Sequence, residues 1–202
     1  MSLDRYGQFD LQMRLALTII IAIVFQQSLF GQSRTIHVYV ALCDNEFQGI
    51  VPVPANLGNG KNPDTNLYWG AAYGVKSYLN NKTNDWDLIK AIPTDNPVIL
   101  ERLLFKHATE EVYILSDAYD GEHIKTCIED FLKASNRQNK VQFFHKNTLL
   151  KFGGSSDLIS YVGHDGIMDF SVEIDYGSKS SKTKDVIILA CYSKDYFATE
   201  IR

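Results

Sequence analysis

Short runs of apolar and β-branched residues recur along the chain and predict β-strands. The predicted strands cover residues 35–42, 87–92, 111–116, 141–144, 158–162 and 186–190. Residues 97–107 are compatible with either a helix or the first arm of a hairpin. Residues 170–176 alternate apolar and polar side chains, which predicts an exposed strand or hairpin arm.

Helical spacing of apolar residues predicts helices between some of these strands. One apolar stripe follows the i, i+3, i+4, i+7, i+8 pattern, with Asp120 as N-cap and Asn136 near the end. Its members are Ile124, Cys127, Ile128, Phe131 and Leu132. A second helix is expected to begin after Asn66, following a long loop over residues 43–66. This order predicts an α/β fold with a mainly parallel sheet flanked by helices.

Length and charge limit the classes of function. The chain has 202 residues, which suits one domain, and its formal net charge is -4. A nucleic-acid-binding domain usually carries a basic patch, whereas the basic residues here are dispersed. No nucleic-acid partner is therefore predicted.

The N-terminus has the pattern of a secretory signal peptide. Arg14 precedes an apolar run over residues 15–25, which is too short to span a bilayer, and residues 31–33 offer a small-x-small cleavage site. We expect a signal peptide at residues 1–33, with residues 1–12 as a possible upstream extension, and a mature domain at 34–202. A retained signal anchor is the alternative. Cleavage predicts a secreted, periplasmic or cell-surface protein without stable membrane insertion.

The three cysteines are an odd number, so at least one thiol is unpaired within the chain. An exported protein keeps a free thiol when that thiol is buried or reactive. Cys127 belongs to the helical stripe and is assigned to the core, and Cys43 follows a strand and is also interpreted as structural. Cys191 follows the last predicted strand. A disulfide between Cys43 and Cys191 remains an alternative.

A histidine and a cysteine follow the last two predicted strands. His164 lies between Gly163 and Gly166, after residues 158–162, and Cys191 comes directly after residues 186–190. In parallel sheets, functional residues collect beyond the carboxyl ends of strands. If these strands are neighbours, the imidazole can take the thiol proton and generate a nucleophilic thiolate. The backbone N–H groups of Gly166 and Cys191 could then stabilise an oxyanion.

The segments Tyr161-Val-Gly-His-Asp-Gly166 and Asp185-Val-Ile-Ile-Leu-Ala-Cys-Tyr-Ser193 resemble the caspase–gingipain–legumain–separase clan of cysteine peptidases. The resemblance implies a caspase-like α/β sandwich with Cys191 as nucleophile and His164 as general base. It implies peptide or protein substrates and no cofactor. The family usually has Gly directly after the histidine, whereas Asp165 intervenes here and shifts the backbone oxyanion donor. The family also continues beyond the point that matches Arg202, so the domain is expected to be incomplete at its C-terminus.

Two other functions remain open. A catalytically inactive relative would use the same fold for binding or surface assembly. A metal-dependent hydrolase would use His164, Asp165 and Asp169 as ligands, although their spacing is not a specific metal signature. A second acidic cluster offers the same kinds of metal-ligating atoms, but helix capping and solvation explain its residues. It comprises Asp117, Asp120, Glu122 and His123. No metal site is predicted.

Overall fold

The computed structural model describes residues 33–175 and 184–201, and the strands in this part form two sheets. The signal-peptide prediction therefore lies outside the described residues, apart from Ser33. The strands are β1 (Arg34–Ala41), β2 (Trp86–Ala91), β3 (Ile99–His107), β4 (Val112–Tyr119), β5 (Lys140–His145), β6 (Thr148–Gly153), β7 (Leu158–Val162) and β8 (Asp185–Leu189).

The main sheet has six strands in the order β2-β3-β4-β1-β7-β8. β4, β1, β7 and β8 are parallel neighbours, whereas β2, β3 and β4 pair antiparallel. The general α/β prediction is confirmed, and three of the five pairings in this sheet are parallel. Residues 97–107, which were ambiguous in the sequence, contain β3 and form a hairpin arm with β4.

One face of the sheet packs against a helix that the sequence predicts. A 3₁₀ turn at Gly121–His123, whose N-cap Asp120 accepts a hydrogen bond from the Glu122 N–H, leads into α2 (Ile124–Ser135). All five residues of the apolar stripe are buried against the sheet. The short helix α3 (Ser193–Phe197) adds the buried ring of Phe197 to the same core.

The hairpin of β5 and β6 covers the remaining part of this face. Leu150 and Phe152 of β6 pack against Leu104 and Leu115 of the main sheet. The sequence predicts β5 but not β6. β6 has only two buried apolar side chains, Leu150 and Phe152 on either side of Lys151, and this alternation is too short to predict a strand without its partner.

The opposite face is covered by an irregular segment, and the prediction of a regular helix after Asn66 is wrong. Only α1 (Val75–Ser77) and the π-helical turn Tyr78–Lys82 are helical in this segment. The Asn66 side chain does not cap a helix. Its Oδ1 accepts the Cys43 N–H at 3.0 Å, and its Nδ2 donates to the Cys43 carbonyl at 2.8 Å. The side chain thus satisfies backbone groups just beyond β1.

The predicted strand at residues 170–176 is also corrected within its described part, residues 170–175. These residues pair with no strand, although Phe170, Val172 and Ile174 are partly buried on the α2 side of the core. The alternation therefore arises from one-sided packing of an irregular segment. Tyr176 lies outside the described residues. Across residues 33–175 and 184–201, no helix combines the length and the apolar character needed to cross a membrane.

Candidate functional site

The predicted histidine and cysteine leave the sheet at the same edge. β7 and β8 are parallel neighbours, and their pairing ends with Val162 opposite Leu189. The Gly163 N–H donates to the Leu189 carbonyl at 3.3 Å, which continues the contact beyond the strands. His164 and Cys191 each lie two residues past this last pair. Their positions therefore match across the two neighbouring strands.

The three thiols have different environments. Cys191 is exposed, whereas Cys43 and Cys127 are buried, and none forms a disulfide. Burial, together with the Asp44 carboxylate, raises the pKa of Cys43 to about 11. Burial also raises the pKa of Cys127. Cys191 is therefore the accessible thiol of the described chain, as a nucleophile must be.

The position of β7 bears on a disulfide between Cys43 and Cys191. β7 lies between β1 and β8, so their ends are two strand spacings, about 10 Å, apart. A disulfide usually requires Cα atoms within about 7 Å. Bridging these cysteines would therefore require movement of the backbone.

The imidazole of His164 has an acidic partner. Its Nε2 lies 2.7 Å from Oδ2 of Asp169, and the His164 side chain is 12% exposed. The main chain of His164 is also held in place, because the Tyr161 hydroxyl donates to its carbonyl at 2.7 Å. Both the ring and the backbone of this histidine are thus oriented by contacts within the chain.

Asp165 and Gly166 form a tight turn after His164. Oδ1 of Asp165 accepts the Ile167 N–H at 3.2 Å and caps the 3₁₀ turn Gly166–Met168. Oδ2 of Asp165 is buried and has no hydrogen-bond partner among the described residues. Burial raises the pKa of this carboxyl.

The same turn engages the predicted oxyanion donor. The Gly166 N–H donates to the His164 carbonyl at 3.0 Å, so this donor becomes available only if the turn opens. The N–H groups of Asp165 and Cys191 have no hydrogen-bond partner in residues 33–175 and 184–201. These two N–H groups are therefore available to donate to an oxyanion, whereas the Gly166 N–H is engaged.

The long loop after β1 is tied to the carboxyl edge of the sheet. The Asp44 carboxylate accepts the N–H groups of Glu46 at 2.8 Å and Gly60 at 3.1 Å. Nε2 of the buried Gln48 donates to the carbonyls of Leu42 at 2.7 Å and Gly121 at 3.0 Å. A cavity of about 490 Å³ opens beside this loop, with Asp44, Glu46 and Lys61 in its wall. The loop thus provides a concave surface on the strand ends.

Tyr68, interpreted from the sequence as a core residue rather than a ligand contact, lies near the site. Burial raises the pKa of Tyr68 to about 12, and the charges of the Cys43 and Cys191 thiolates add to this effect. The hydroxyl of Tyr68 therefore lies within electrostatic range of both thiols and stays protonated near neutral pH. Its spacing along the helix predicted after Asn66 favoured a core residue over the alternative, a ligand contact shared with Trp69 and Tyr73.

The acidic groups considered as metal ligands have other contacts. The ligand atoms of Asp120, Glu122 and His123 lie within 4.8 Å of one another. Asp120 caps the turn before α2, and Glu122 forms an ion pair with Lys61 at 2.7 Å. Two of the three members of this cluster are therefore engaged by groups of the chain itself. At the other candidate set, Asp169 bonds His164 directly.

Comparisons with models of protein families, with curated proteins and with solved structures find no match for this chain.

Proposed function

We propose that this chain is an exported, caspase-like cysteine peptidase in which Cys191 is the nucleophile and His164 the general base. The observation that carries the proposal is the matched position of these residues beyond two neighbouring parallel strands. The exposure of Cys191 and the burial of the other two thiols support it further. The apolar N-terminal segment supports the secreted, periplasmic or cell-surface location.

The reaction would proceed by acyl transfer. Nδ1 of His164 takes the proton of the Cys191 thiol, and the sulfur attacks the carbonyl carbon of a peptide bond. The tetrahedral oxyanion accepts hydrogen bonds from the N–H groups of Cys191 and Asp165. The C–N bond then breaks, the imidazolium protonates the leaving amine, and a thioester remains on Cys191. His164 next takes a proton from water, whose oxygen attacks the thioester, and the carboxylic acid leaves as the thiol re-forms. This chemistry requires no cofactor.

A catalytically inactive binding domain is the second candidate. The hydrogen bond from the Gly166 N–H to the His164 carbonyl favours it, because the family uses a glycine after the histidine as an oxyanion donor. In that case the exposed strand ends and the loop after β1 would bind a protein without cleaving it.

Peptidyl acyloxymethyl ketones, which alkylate peptidase cysteines, test the peptidase proposal. The purified full chain would be treated with a set of these probes that differ in the residue at the scissile position, and labelled peptides would be mapped. We expect a thioether at Cys191 that is lost in Cys191→Ser and retained in Cys43→Ser, with no effect of a chelator. Cleavage of a peptide library should show the same dependence. Absence of both labelling and cleavage would favour the inactive domain, and inhibition by a chelator would favour the metal hydrolase.

A further inference from the structure

We propose that Asp169 is a positioning residue, which holds the proton of His164 on Nε2 and leaves Nδ1 to serve Cys191. The inference rests on the proposed function and adds a residue to its machinery. It begins from one contact, the 2.7 Å separation of His164 Nε2 and Asp169 Oδ2.

The chemistry of the two groups determines which nitrogen carries the proton. An ionised carboxylate only accepts hydrogen bonds, so Nε2 must be the donor in this contact. A neutral imidazole has one protonated nitrogen, which makes Nδ1 of His164 the unprotonated one. Among the described residues Nδ1 has no hydrogen-bond partner. It is therefore able to accept a proton from a thiol.

Two elements hold Asp169 in place. The Asp169 N–H donates to the Gly166 carbonyl at 2.9 Å, at the end of the turn capped by Asp165. From the loop after β1, Gly49 lies against the carboxylate, since a Cβ at this position would come within 3.3 Å of Asp169 Oδ1. The carboxylate is thus directed at the imidazole from a short turn and is bordered by a second segment.

Asp165, the residue by which this chain departs from the family pattern, has a role in the same turn. Asp165, which separates His164 from Gly166, is the residue that caps this turn. The capped turn brings residue 169 back toward residue 164. The inserted residue therefore builds the support for the acidic partner.

Stabilisation of the fold is a weak explanation for this pair. The Asp169 side chain is 44% exposed. An ion pair with so exposed a partner contributes little to stability, because solvent screens it. Orientation of the ring needs no large contribution to stability, because it selects between two tautomers of similar energy.

The tautomer of His164 can be measured without any peptidase activity. Long-range ¹H–¹⁵N correlation spectra of the imidazole at pH 7.5 would be recorded for the full chain and for Asp169→Ala. We expect a single Nε2–H tautomer in the wild type and a mixture of both in Asp169→Ala. Asp169→Glu, which keeps the carboxylate, should retain an excess of Nε2–H. Glu173→Ala removes an exposed carboxylate four residues away and should change nothing. An unchanged tautomer in Asp169→Ala would overturn the proposal.

A second readout connects the tautomer to the thiol. We expect Asp169→Ala to slow iodoacetamide alkylation of Cys191 by about tenfold, with the melting temperature unchanged and Glu173→Ala at the wild-type rate. A shifted tautomer with an unchanged alkylation rate would contradict the claim that Asp169 raises the reactivity of Cys191 through His164. If both readouts respond but peptidyl probes label no variant, the positioning role stands and the peptidase function fails. The two proposals can therefore fail separately.

Discussion

The protein contains two histidine–aspartate pairs with closely similar contacts but different surroundings. His37 Nε2 lies 3.0 Å from Asp117 Oδ2, and the two side chains are 1% and 0% exposed. His164 Nε2 lies 2.7 Å from Asp169 Oδ2, and those side chains are 12% and 44% exposed. The first pair lies within strands β1 and β4, whereas the second lies beyond the end of β7.

The buried pair belongs to a network in which both nitrogens of the histidine are used. Nδ1 of His37 accepts the Gly153 N–H at 3.0 Å. The Asp117 carboxylate also accepts hydrogen bonds from Nε and Nη2 of Arg102, each at 2.6 Å. Burial alone would raise the pKa of Asp117, but His37 and Arg102 lower it. Because no ring nitrogen is left over, His37 can hold β1, β4 and β6 together but cannot transfer a proton.

The second pair leaves one nitrogen of His164 without a partner among the described residues. That nitrogen belongs to a side chain at the sheet edge where the accessible thiol is found. The comparison shows that a histidine–aspartate contact alone does not identify a catalytic group. What distinguishes the two pairs is whether the second nitrogen is free and what lies near it.

The largest expected effect is on the buried pair. Arg102→Met removes the cation beside Asp117 and leaves a buried carboxylate with less compensation. We expect the free energy of unfolding to fall by about 3–5 kcal/mol, measured by urea denaturation. The double variant Arg102→Met/Asp117→Leu should lose less than the single one, since no buried charge remains. A single-variant loss below about 1 kcal/mol would show that the network is not structural.

Replacement of His37 tests the second part of this network. His37→Phe keeps the ring but removes both of its hydrogen bonds, so the Gly153 N–H is left unpaired in the interior. We expect a loss of about 2–3 kcal/mol in the free energy of unfolding. Alkylation of Cys191 should keep its wild-type rate while the protein is folded. Unchanged stability would contradict the structural role of His37.

Asp165→Asn should have a smaller effect that depends on pH. Because burial raises the pKa of Asp165 above its usual 3.8, the folded state holds this proton more tightly than the unfolded chain. The resulting stability is present below about pH 4 and is lost as the pH rises through the raised pKa. We expect Asp165→Asn to gain up to about 1 kcal/mol at pH 7 and nothing at pH 3.5 in urea denaturation. Equal gains at both pH values would contradict this account.

The smallest effect on stability is expected at the pair of His164 and Asp169. His164→Phe should change the free energy of unfolding by less than about 1 kcal/mol, because Asp169 is 44% exposed and solvent screens its charge. Urea denaturation beside His37→Phe gives a direct comparison of the two histidines. A loss at His164 as large as the loss at His37 would indicate that both pairs are structural.

The sequence predicts the elements whose patterns are local. β1, β7 and β8 are short apolar runs, and the stripe of α2 has an unbroken helical period, so their signals do not depend on the rest of the chain. The positions of His164 and Cys191 after strands also follow from the sequence. That β7 and β8 are neighbours was only a condition of the prediction, because pairing is set by the whole sheet.

Other features depend on contacts between distant residues. Asn66 directly precedes a predicted helix, yet its side-chain amide is bonded to the backbone of Cys43, 23 residues earlier. Phe170, Val172 and Ile174 alternate as in a strand, yet they pack on α2 without a pairing partner. The engaged Gly166 N–H and the contact of Asp169 with His164 arise from a 3₁₀ turn, which has no strong periodic signature. Local propensity cannot determine such contacts.

The most direct test of the central claim is the alkylation rate of each cysteine in the folded full chain by iodoacetamide at pH 6.5, followed by peptide mapping. An ordinary cysteine is almost entirely thiol at this pH. We predict that Cys191 reacts at least tenfold faster than in His164→Phe, while the buried Cys43 and Cys127 react only after unfolding. Equal rates for Cys191 with and without His164 would contradict a reactive pair at the ends of β7 and β8.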